Sequence, residues 1–221
     1  RAQSSGQHYF SCFVKSGVVL KFVKREMAPK LLLASQSPRR RELLEQIGVK
    51  FSVSIQDIDE SRQIDEKPTD LVRRLAEQKA SACLNKARDV NSVVLASDTI
   101  VVLGEEVFGK PDGKIDAVRM LLRLSDRRHR VLTAVSVMCH DKSKTICSET
   151  AVTFRAITTE EAEDYWESGE PRGKAGAYAI QGFGAIFIHS IAGSYSGVMG
   201  LPLFETAELL KEFGIDCWQE F

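Results

Sequence analysis

Residues 35–41, SQSPRRR, combine hydroxyl and guanidinium groups at the predicted start of a helix. The free amides of a helix N-terminus act like about half a positive charge, so each arginine there is unfavourable by ~0.3–1 kcal/mol unless an anion binds. Together with these amides, Ser35, Arg39 and Arg40 would form a cradle for phosphate groups. A solvated basic helix face, with Ser37 acting only as the cap, explains the segment equally well on its own.

Three lysines also lie in unusual surroundings. Lys79 belongs to the apolar-faced helix RRLAEQKA, Lys110 follows a glycine in FGKP, and Lys174 follows another in GKAGAY. Any one of them is most simply explained as a solvated side chain. Together with the arginines, they indicate a ligand that carries several negative charges, such as a polyphosphate.

Carboxylate and amide groups complete the candidate chemistry. Asp98, in ASDTIVV, directly follows an apolar run that predicts a buried strand. It would therefore lie at the carboxyl end of that strand, where α/β proteins commonly bind ligands. Asp59 and Glu60, in DIDES, are suited to a hard divalent cation beside phosphates. A turn aspartate and an acidic loop are the alternative interpretations. Gln181, in GAYAIQGFGA, can read an amide-like edge through paired hydrogen bonds.

The composition disfavours several classes of protein. The 221 residues have zero net charge, which argues against a broad nucleic-acid-binding surface. No apolar stretch is long enough to span a bilayer, and neither a P-loop motif nor zinc-ligand spacing of the histidines is present. Five cysteines without CxxC spacing indicate reduced thiols and a cytoplasmic protein, although Cys139 and Cys147 could meet across a predicted hairpin.

Residues 1–28 differ from the rest of the chain, since they are rich in lysine and contain a single acidic residue, Glu26. Three interpretations stay open: an added tag, a targeting presequence for an organelle, or a segment upstream of a start at Met27. The predicted organisation is therefore an N-terminal extension at 1–28 followed by one domain at 29–221.

The remaining residues alternate between predicted strands and helices. Short apolar runs predict buried strands, and Thr158 with Glu161 predicts a capping box. Crossovers early in the chain and a hairpin later predict a mixed sheet. The predicted strands are 30–34, 49–55, 92–97, 100–103, 129–140, 144–157 and 184–191, and the predicted helices are 38–47 (capped by Ser37), 69–87 (capped by Thr69), 114–124, 159–166 and 203–213.

Seven separated blocks of the chain resemble one known family over about residues 29–215. The Maf family has, in the same order and approximate spacing, LLLASQSPRRRELL, DIDES, QKA, ASDTIVV, GKP, LTAVSV and GKAGAYAIQGFGA. The resemblance implies an elongated α/β fold, with a twisted mixed sheet flanked by helices as in inosine triphosphate pyrophosphatases and a cleft between two lobes. It also implies hydrolysis of a nucleoside triphosphate to the monophosphate and pyrophosphate, with Mg²⁺ or Mn²⁺ as the divalent metal cation.

By motif position, the resemblance gives individual residues a role. Asp98 would orient or deprotonate the attacking water, and Glu60 and Asp98 would hold the metal. Arg39, Thr99 and Gln181 occupy the positions at which subgroups differ, and their combination resembles the dTTP/UTP-hydrolysing subgroup. The implied catalytic residues are Asp98, Lys79, Lys110 and Glu60, and the implied substrate-binding residues are Ser35, Arg39, Arg40, Thr99 and Gln181.

Two alternative functions stay open: a 7-methyl-GTP pyrophosphatase, whose subgroup carries an aromatic residue in place of Arg39, and a non-catalytic nucleotide-binding regulator of cell division. The resemblance further implies a homodimer, while membranes and nucleic acids are not expected as partners. The chain departs from the family pattern at Asp126, where a turn glycine is common, and at Gly173, where an acidic residue is frequent.

Overall fold

Apolar and β-branched runs form one seven-stranded sheet in the structure, a computed structural model that describes residues 29–219. The predicted extension at 1–28 lies outside the described residues. The strands are β1 (Lys30–Leu33), β2 (Phe51–Val53), β3 (Ser92–Leu103), β4 (Glu106–Phe108), β5 (Arg128–Met138), β6 (Ser143–Phe154) and β7 (Ile188–Ala192). The helices are α1 (Pro38–Gln46), α2 (Pro68–Leu84), α3 (Lys114–Leu124), α4 (Thr159–Glu167), α5 (Tyr195–Met199) and α6 (Leu203–Lys211), with 3₁₀ segments at Ala175–Ala177 and Phe183–Phe187.

The sheet is mixed, as the sequence predicts. Its strand order is β2-β1-β3-β5-β6-β7, and β4 pairs with the end of β3. Strands β2, β1 and β3 run parallel because helices cross over between them, whereas all later pairs are antiparallel. The predicted fold class, a mixed sheet flanked by helices, is confirmed.

Strand β3 is unbroken, so the prediction of two strands at 92–97 and 100–103 is wrong. The polar residue Asp98 suggests a break, but its backbone pairs in register with Ala134 of β5. Continuous pairing along a long central strand outweighs the weak strand propensity of one aspartate. Asp98 therefore lies within a strand and not after its end.

Several predicted boundaries shift by a few residues. The predicted strand at 184–191 is a 3₁₀ segment in its first half and becomes β7 only from Ile188. Helix α2 starts at a proline with Lys67 in the N-cap position, so Thr69 is not its cap. The capping box of α4 is confirmed, because Thr158 Oγ1 accepts the Glu161 amide at 3.2 Å and the Glu161 carboxylate accepts the Thr158 amide at 2.9 Å.

Two of the apolar cores lie at opposite ends of β3, and we call each of them, with the helices that cover it, a lobe. The first core joins the beginning of β3 to β1, α1 and α6, with Leu33, Leu44 and Leu210 fully buried. The second joins the end of β3 to α3 and α4, with Leu121 and Phe154 at its centre. The middle of β3 lies between the two lobes.

Within residues 29–219, no helix is both long and apolar enough to cross a membrane. Cys139 and Cys147 are free thiols, so the alternative of a bond between them across the hairpin is not realised. The register explains this, because Cys147 lies opposite Ala134 while Cys139 follows the last residue of β5.

Asp126 occupies a left-handed turn with a φ of 53°, which explains why a glycine is common at this position. An L-residue in this region costs ~1–2 kcal/mol, partly offset by the greater freedom that glycine gives the unfolded chain. We expect Asp126→Gly to raise the free energy of unfolding by about 0.5 kcal/mol in urea titrations. Asp216→Gly, at an exposed position without a positive φ, is the control and should be destabilising. Equal losses at both positions would contradict the interpretation.

Candidate active site

A cleft opens where β3 changes its neighbour in the sheet. On one edge β3 pairs with β1 as far as Leu95 and with β4 from Val101 onward. Within the described chain, residues 96–100 therefore have a strand partner only on the β5 side. Side chains from both lobes reach this stretch, as at other points where strand order changes in α/β sheets. We call this hollow of about 1030 Å³ the β3 cleft.

The β3 cleft brings together all nine residues to which the family resemblance gives a role. They come from six separate segments: the turn after β1 with the start of α1, the loop before α2, α2 itself, the middle of β3, the turn after β4, and the loop before the second 3₁₀ segment. The role of each residue stays a prediction. The residues are Ser35, Arg39, Arg40, Glu60, Lys79, Asp98, Thr99, Lys110 and Gln181.

Lys79 lies between the two predicted metal ligands. Its Nζ is 2.6 Å from Asp98 Oδ1 and 2.6 Å from Glu60 Oε1. Helix α2 packs on the face of β3 to which Asp98 and Ile100 both point, and this packing aims the lysine at the aspartate. Burial opposes ionisation of Glu60, but the nearby cations, Lys79 first, hold its pKa below the ordinary value.

A separate ion pair fixes the loop that carries Glu60. Arg74, on α2 about one turn before Lys79, donates to both carboxylate oxygens of Glu66 at 2.6 and 2.9 Å and to the Ser61 carbonyl at 2.9 Å. The loop and the lysine are thus anchored to the same helix. Asp59 accepts the Ser61 amide and lines a smaller neighbouring hollow, so only one of the two predicted acidic residues faces the β3 cleft.

The structure explains how Arg39 and Arg40 are accommodated at the N-terminus of α1. Arg40 Nε donates to the Gly200 carbonyl at 2.8 Å, and Arg39 Nε lies 3.4 Å from the Met199 carbonyl. These carbonyls end α5, and cations are favourable at the C-terminus of a helix. The predicted side-chain cap is not formed: Ser37 occupies the N-cap position, but its amide donates to Ser35 Oγ at 3.1 Å.

The turn at the end of α5 is a wall of the site that sequence reasoning missed. Ser97 Oγ and Arg40 both donate to the Gly200 carbonyl, and Thr133 Oγ1 donates to the Gly197 carbonyl at 2.7 Å. Gly200 has a φ of 119° and lies against the Arg40 guanidinium, so a side chain is unfavourable there. The only signal in the sequence is the spacing of small residues in SGVMGLP.

Other parts of the β3 cleft are lined by Lys110, Lys174 and the side-chain amide of Gln181. Lys110 is largely exposed, with Nζ 3.8 Å from Glu60 Oε2. Lys174 also lines the cleft, and burial, together with the charge of Arg39, lowers its pKa from the ordinary value. Gln181 lies on the exposed turn before the second 3₁₀ segment.

The β3 cleft has an excess of positive charge. Two arginines of α1 and the three lysines described above face it together with Arg62, against the carboxylates of Asp57, Glu60 and Asp98. Burial lowers the pKa of Arg40, although the neighbouring Asp98 opposes this. A ligand with three or four negative charges would neutralise the excess.

While Lys79 is bound to both carboxylates, the donor set fits a hard divalent cation only when a ligand takes part. Within residues 29–219, no cluster of three or more His, Cys, Asp or Glu side chains has the geometry of a metal site. Glu60 and Asp98 offer two carboxylates, both bound to Lys79. Mg²⁺ is commonly held by one or two carboxylates plus substrate phosphates and water. The residues present suit a metal of this kind.

Tyr178 connects the cleft wall to a buried histidine. His129 is 1% exposed, and its Nε2 lies 3.0 Å from the Tyr178 hydroxyl. Phe154 packs edge-on against both rings. Burial lowers the pKa of His129 to about 4, so the imidazole is neutral in the folded protein at neutral pH.

This histidine predicts a specific acid sensitivity. The unfolded chain binds a proton at His129 below pH 6.5, whereas the folded chain does so only near pH 4. Stability therefore falls as pH decreases from 6.5 to 4, by about 3 kcal/mol for a shift of this size. Urea unfolding at a series of pH values should show the fall reduced in His129→Gln and unchanged in the exposed control His189→Gln. An equal dependence of the free energy of unfolding on pH in all three proteins would contradict the prediction. The pKa of Glu66 is lowered to about 2, so the stability lost when this carboxylate is protonated is lost at lower pH.

The sheet and its cleft define an α/β protein with an excess of cationic side chains at the point where β3 changes its neighbour. The profile of one family, described as Maf-like protein, matches residues 30–213. The chain therefore belongs to the Maf family.

Similar proteins cover nearly the whole described chain. A protein of Pseudoalteromonas atlantica named dTTP/UTP pyrophosphatase is 51% identical over 187 residues, which is 84% of this chain and 97% of that protein. A protein of the same name from Vibrio vulnificus is 51% identical and aligns over 83% of this chain and 98% of its own length. Another, from Saccharophagus degradans, is 49% identical and aligns over 89% of this chain and 94% of its own length. The solved structure of the Staphylococcus aureus Ham1 protein aligns with a TM-score of 0.43 at 16% identity, over 72% of this chain and 79% of that one.

Proposed function

We propose that this chain hydrolyses dTTP and UTP to the nucleoside monophosphate and pyrophosphate. The observation that carries the proposal is the Lys79–Asp98 pair at the centre of a cationic cleft, with Nζ and Oδ1 2.6 Å apart. The relatives named dTTP/UTP pyrophosphatase support the same reaction, since they share about half of their residues with this chain over most of its length.

In this reaction, a water oxygen forms a bond to the α-phosphorus while the bond from that phosphorus to the bridging oxygen breaks. Pyrophosphate leaves with the bonding electrons, and the water loses a proton. Asp98 is suited to orient this water and to accept its proton, because its carboxylate is held by Lys79 and faces the cleft. Reactant and transition state are both highly charged, so the fixed cations of the cleft supply most of the remaining stabilisation.

The phosphates have cations on both sides of the cleft. Arg40 is fixed by three contacts, to Gly200, Thr99 and Ser35, so its guanidinium is held in place before the substrate binds. Lys110 is exposed and free to follow the phosphates. Rigid and adaptable cations together suit a flexible triphosphate chain.

A divalent cation, Mg²⁺ or Mn²⁺, belongs to the proposal. When bound, it would offset negative charge on the pyrophosphate. Glu60 and Asp98 are the residues that would hold it, and the phosphates would complete its ligands.

Base recognition is the finer part of the proposal. The imide edge of thymine or uracil presents acceptor, donor and acceptor groups, and the side-chain amide of Gln181 can complement them. Thr99 Oγ1 accepts a hydrogen bond from Arg40 Nη2 at 3.1 Å, which places a hydroxyl beside this arginine in the cleft. Arg39 stands where the 7-methyl-GTP subgroup carries an aromatic residue, and this favours the pyrimidine substrates.

The deciding experiment is a panel of dTTP, UTP, CTP, ATP and 7-methyl-GTP, assayed with Mg²⁺ and with Mn²⁺. We expect monophosphate and pyrophosphate in equal amounts, with dTTP and UTP the best substrates. Release of inorganic phosphate instead of pyrophosphate would overturn the reaction, and a preference for 7-methyl-GTP would overturn the base assignment. Binding of nucleotides without any hydrolysis would favour the non-catalytic regulator.

Compartment and assembly are further parts of the proposal. Cys83, Cys139, Cys147 and Cys217 are free thiols, which supports a reducing compartment such as the cytoplasm. A homodimer is proposed from the family resemblance, and light scattering coupled to gel filtration tests it.

A further inference from the structure

The position of Gln181 is set by its backbone. The side chain is exposed at the cleft, on the turn closed by the Gly182 amide and the Ala179 carbonyl at 3.4 Å. Among the described residues, no hydrogen bond holds its side-chain amide. The direction in which this amide points therefore depends on how firmly the turn is anchored.

One acid–phenol pair anchors this turn on both sides. The Tyr165 hydroxyl accepts the Ala179 amide at 3.1 Å and donates to Glu170 Oε1 at 2.6 Å. The Glu170 carboxylate also accepts the amides of Phe183 and Gly184, each at 3.0 Å. The chain is thus held by this pair of side chains both before Gln181, at Ala179, and after it, at Phe183 and Gly184.

The close approach of Glu170 is built into the sequence. A Cβ at Gly182 would lie 2.0 Å from Glu170 Oε2, so a side chain next to Gln181 would displace the carboxylate from its backbone partners. Burial raises the pKa of the Tyr165 hydroxyl, and its bond to Glu170 raises it further. For Glu170, burial opposes ionisation, but the three hydrogen bonds it accepts hold its pKa below the ordinary value. The pair is therefore an ionised carboxylate with a neutral phenol, and each remains a partner for the backbone.

The backbone of Glu170 also contacts a lysine that lines the cleft. Its backbone carbonyl accepts the Lys174 ammonium at 2.5 Å, and Lys174 lines the β3 cleft near Arg39. The same short segment after α4 therefore positions a cation and, through the carboxylate, the amide of Gln181.

We propose that Glu170, supported by Tyr165, is a positioning residue for base selection: it fixes the turn that presents Gln181 to the nucleobase. The inference rests on the proposed function, because it needs a nucleobase in the cleft. The Glu170 carboxylate is bound to Tyr165 and to two backbone amides of the turn, so its effect should be seen in the choice between bases more than in the chemical step.

The test compares kcat/KM for UTP and CTP in Glu170→Ala, Glu170→Gln and Tyr165→Phe. The UTP:CTP ratio should fall about ten-fold in Glu170→Ala, since the loss of one well-placed hydrogen bond to the base costs about that factor. Glu170→Gln retains one acceptor oxygen and should lie between wild type and alanine. Glu167→Gln, which removes an exposed acid of α4 paired with Lys114, is the matched control and should leave the ratio unchanged.

A double variant separates positioning from general damage. If Glu170 acts through Gln181, then Glu170→Ala combined with Gln181→Ala should show the same UTP:CTP ratio as Gln181→Ala alone. Equal loss of activity on both nucleotides, or a further fall of the ratio in the double variant, would overturn the inference. If Glu170→Ala does not fold, the Gln and Phe variants decide. A wild-type protein that cleaves neither nucleotide defeats the proposed function instead, and UTP and CTP affinities measured by calorimetry then test the positioning.

Discussion

Asp98→Asn should lower kcat by about 10²–10⁴-fold while leaving UTP affinity within a few-fold of wild type. The amide keeps the size of the carboxylate and lies at the same place in β3, but it accepts no proton from water. Asp98 is 8% exposed and held at 2.6 Å by Lys79, so no other described carboxylate takes the same position without rearrangement. Steady-state pyrophosphate release and calorimetric binding of UTP measure the two quantities separately.

The control for this prediction is Asp57→Asn. Asp57 is an exposed carboxylate that lines the same cleft, so its loss changes the net charge by the same amount. Activity should change only slightly, because a solvated charge is well screened. Near-normal turnover in Asp98→Asn, or equal losses in the two variants, would remove Asp98 from the proposed mechanism.

The sequence predicts the fold well where periodicity and length are strong. The long strands β5 and β6 and the helices α2 and α3 are found within a few residues of their predicted bounds. The short elements β4 and α5 are not predicted, because three to five residues carry too little pattern. Their importance comes from tertiary structure: β4 takes over the edge of β3, and the end of α5 receives Arg40.

The gathering of the candidate residues in one cleft could be predicted from the sequence, but their hydrogen-bond partners could not, and their roles stay predictions. The residue types alone predict that the basic residues bind an anion and that the side-chain amide of Gln181 forms paired hydrogen bonds with an amide-like edge of the ligand. That Arg40 would find a carbonyl 160 residues further along the chain follows only from the packing of α1 against α5. The break predicted at Asp98 was wrong for the same reason, since its pairing with β5 depends on register across the whole sheet.

The Lys79 ammonium compensates the negative charge of Glu60 and Asp98, and this gives the second large prediction. Lys79→Met keeps the aliphatic stem on α2 but leaves the two carboxylates repelling each other, and it removes a fixed cation from the cleft. We expect kcat/KM for UTP to fall about 10²–10³-fold, as for the loss of one preorganised donor.

The same variant should gain a property that a merely unfolded protein would lack. Without the ammonium, Glu60 and Asp98 are free to bind Mn²⁺ in the absence of nucleotide, so metal titration by calorimetry should show a site that is weak or absent in wild type. Lys114→Met, which breaks an exposed pair with Glu167, is the control and should change neither measurement. If Lys79→Met retains full activity, or loses activity without any gain in metal binding while its thermal unfolding stays normal, then the lysine does not compensate these carboxylates as the 2.6 Å contacts indicate.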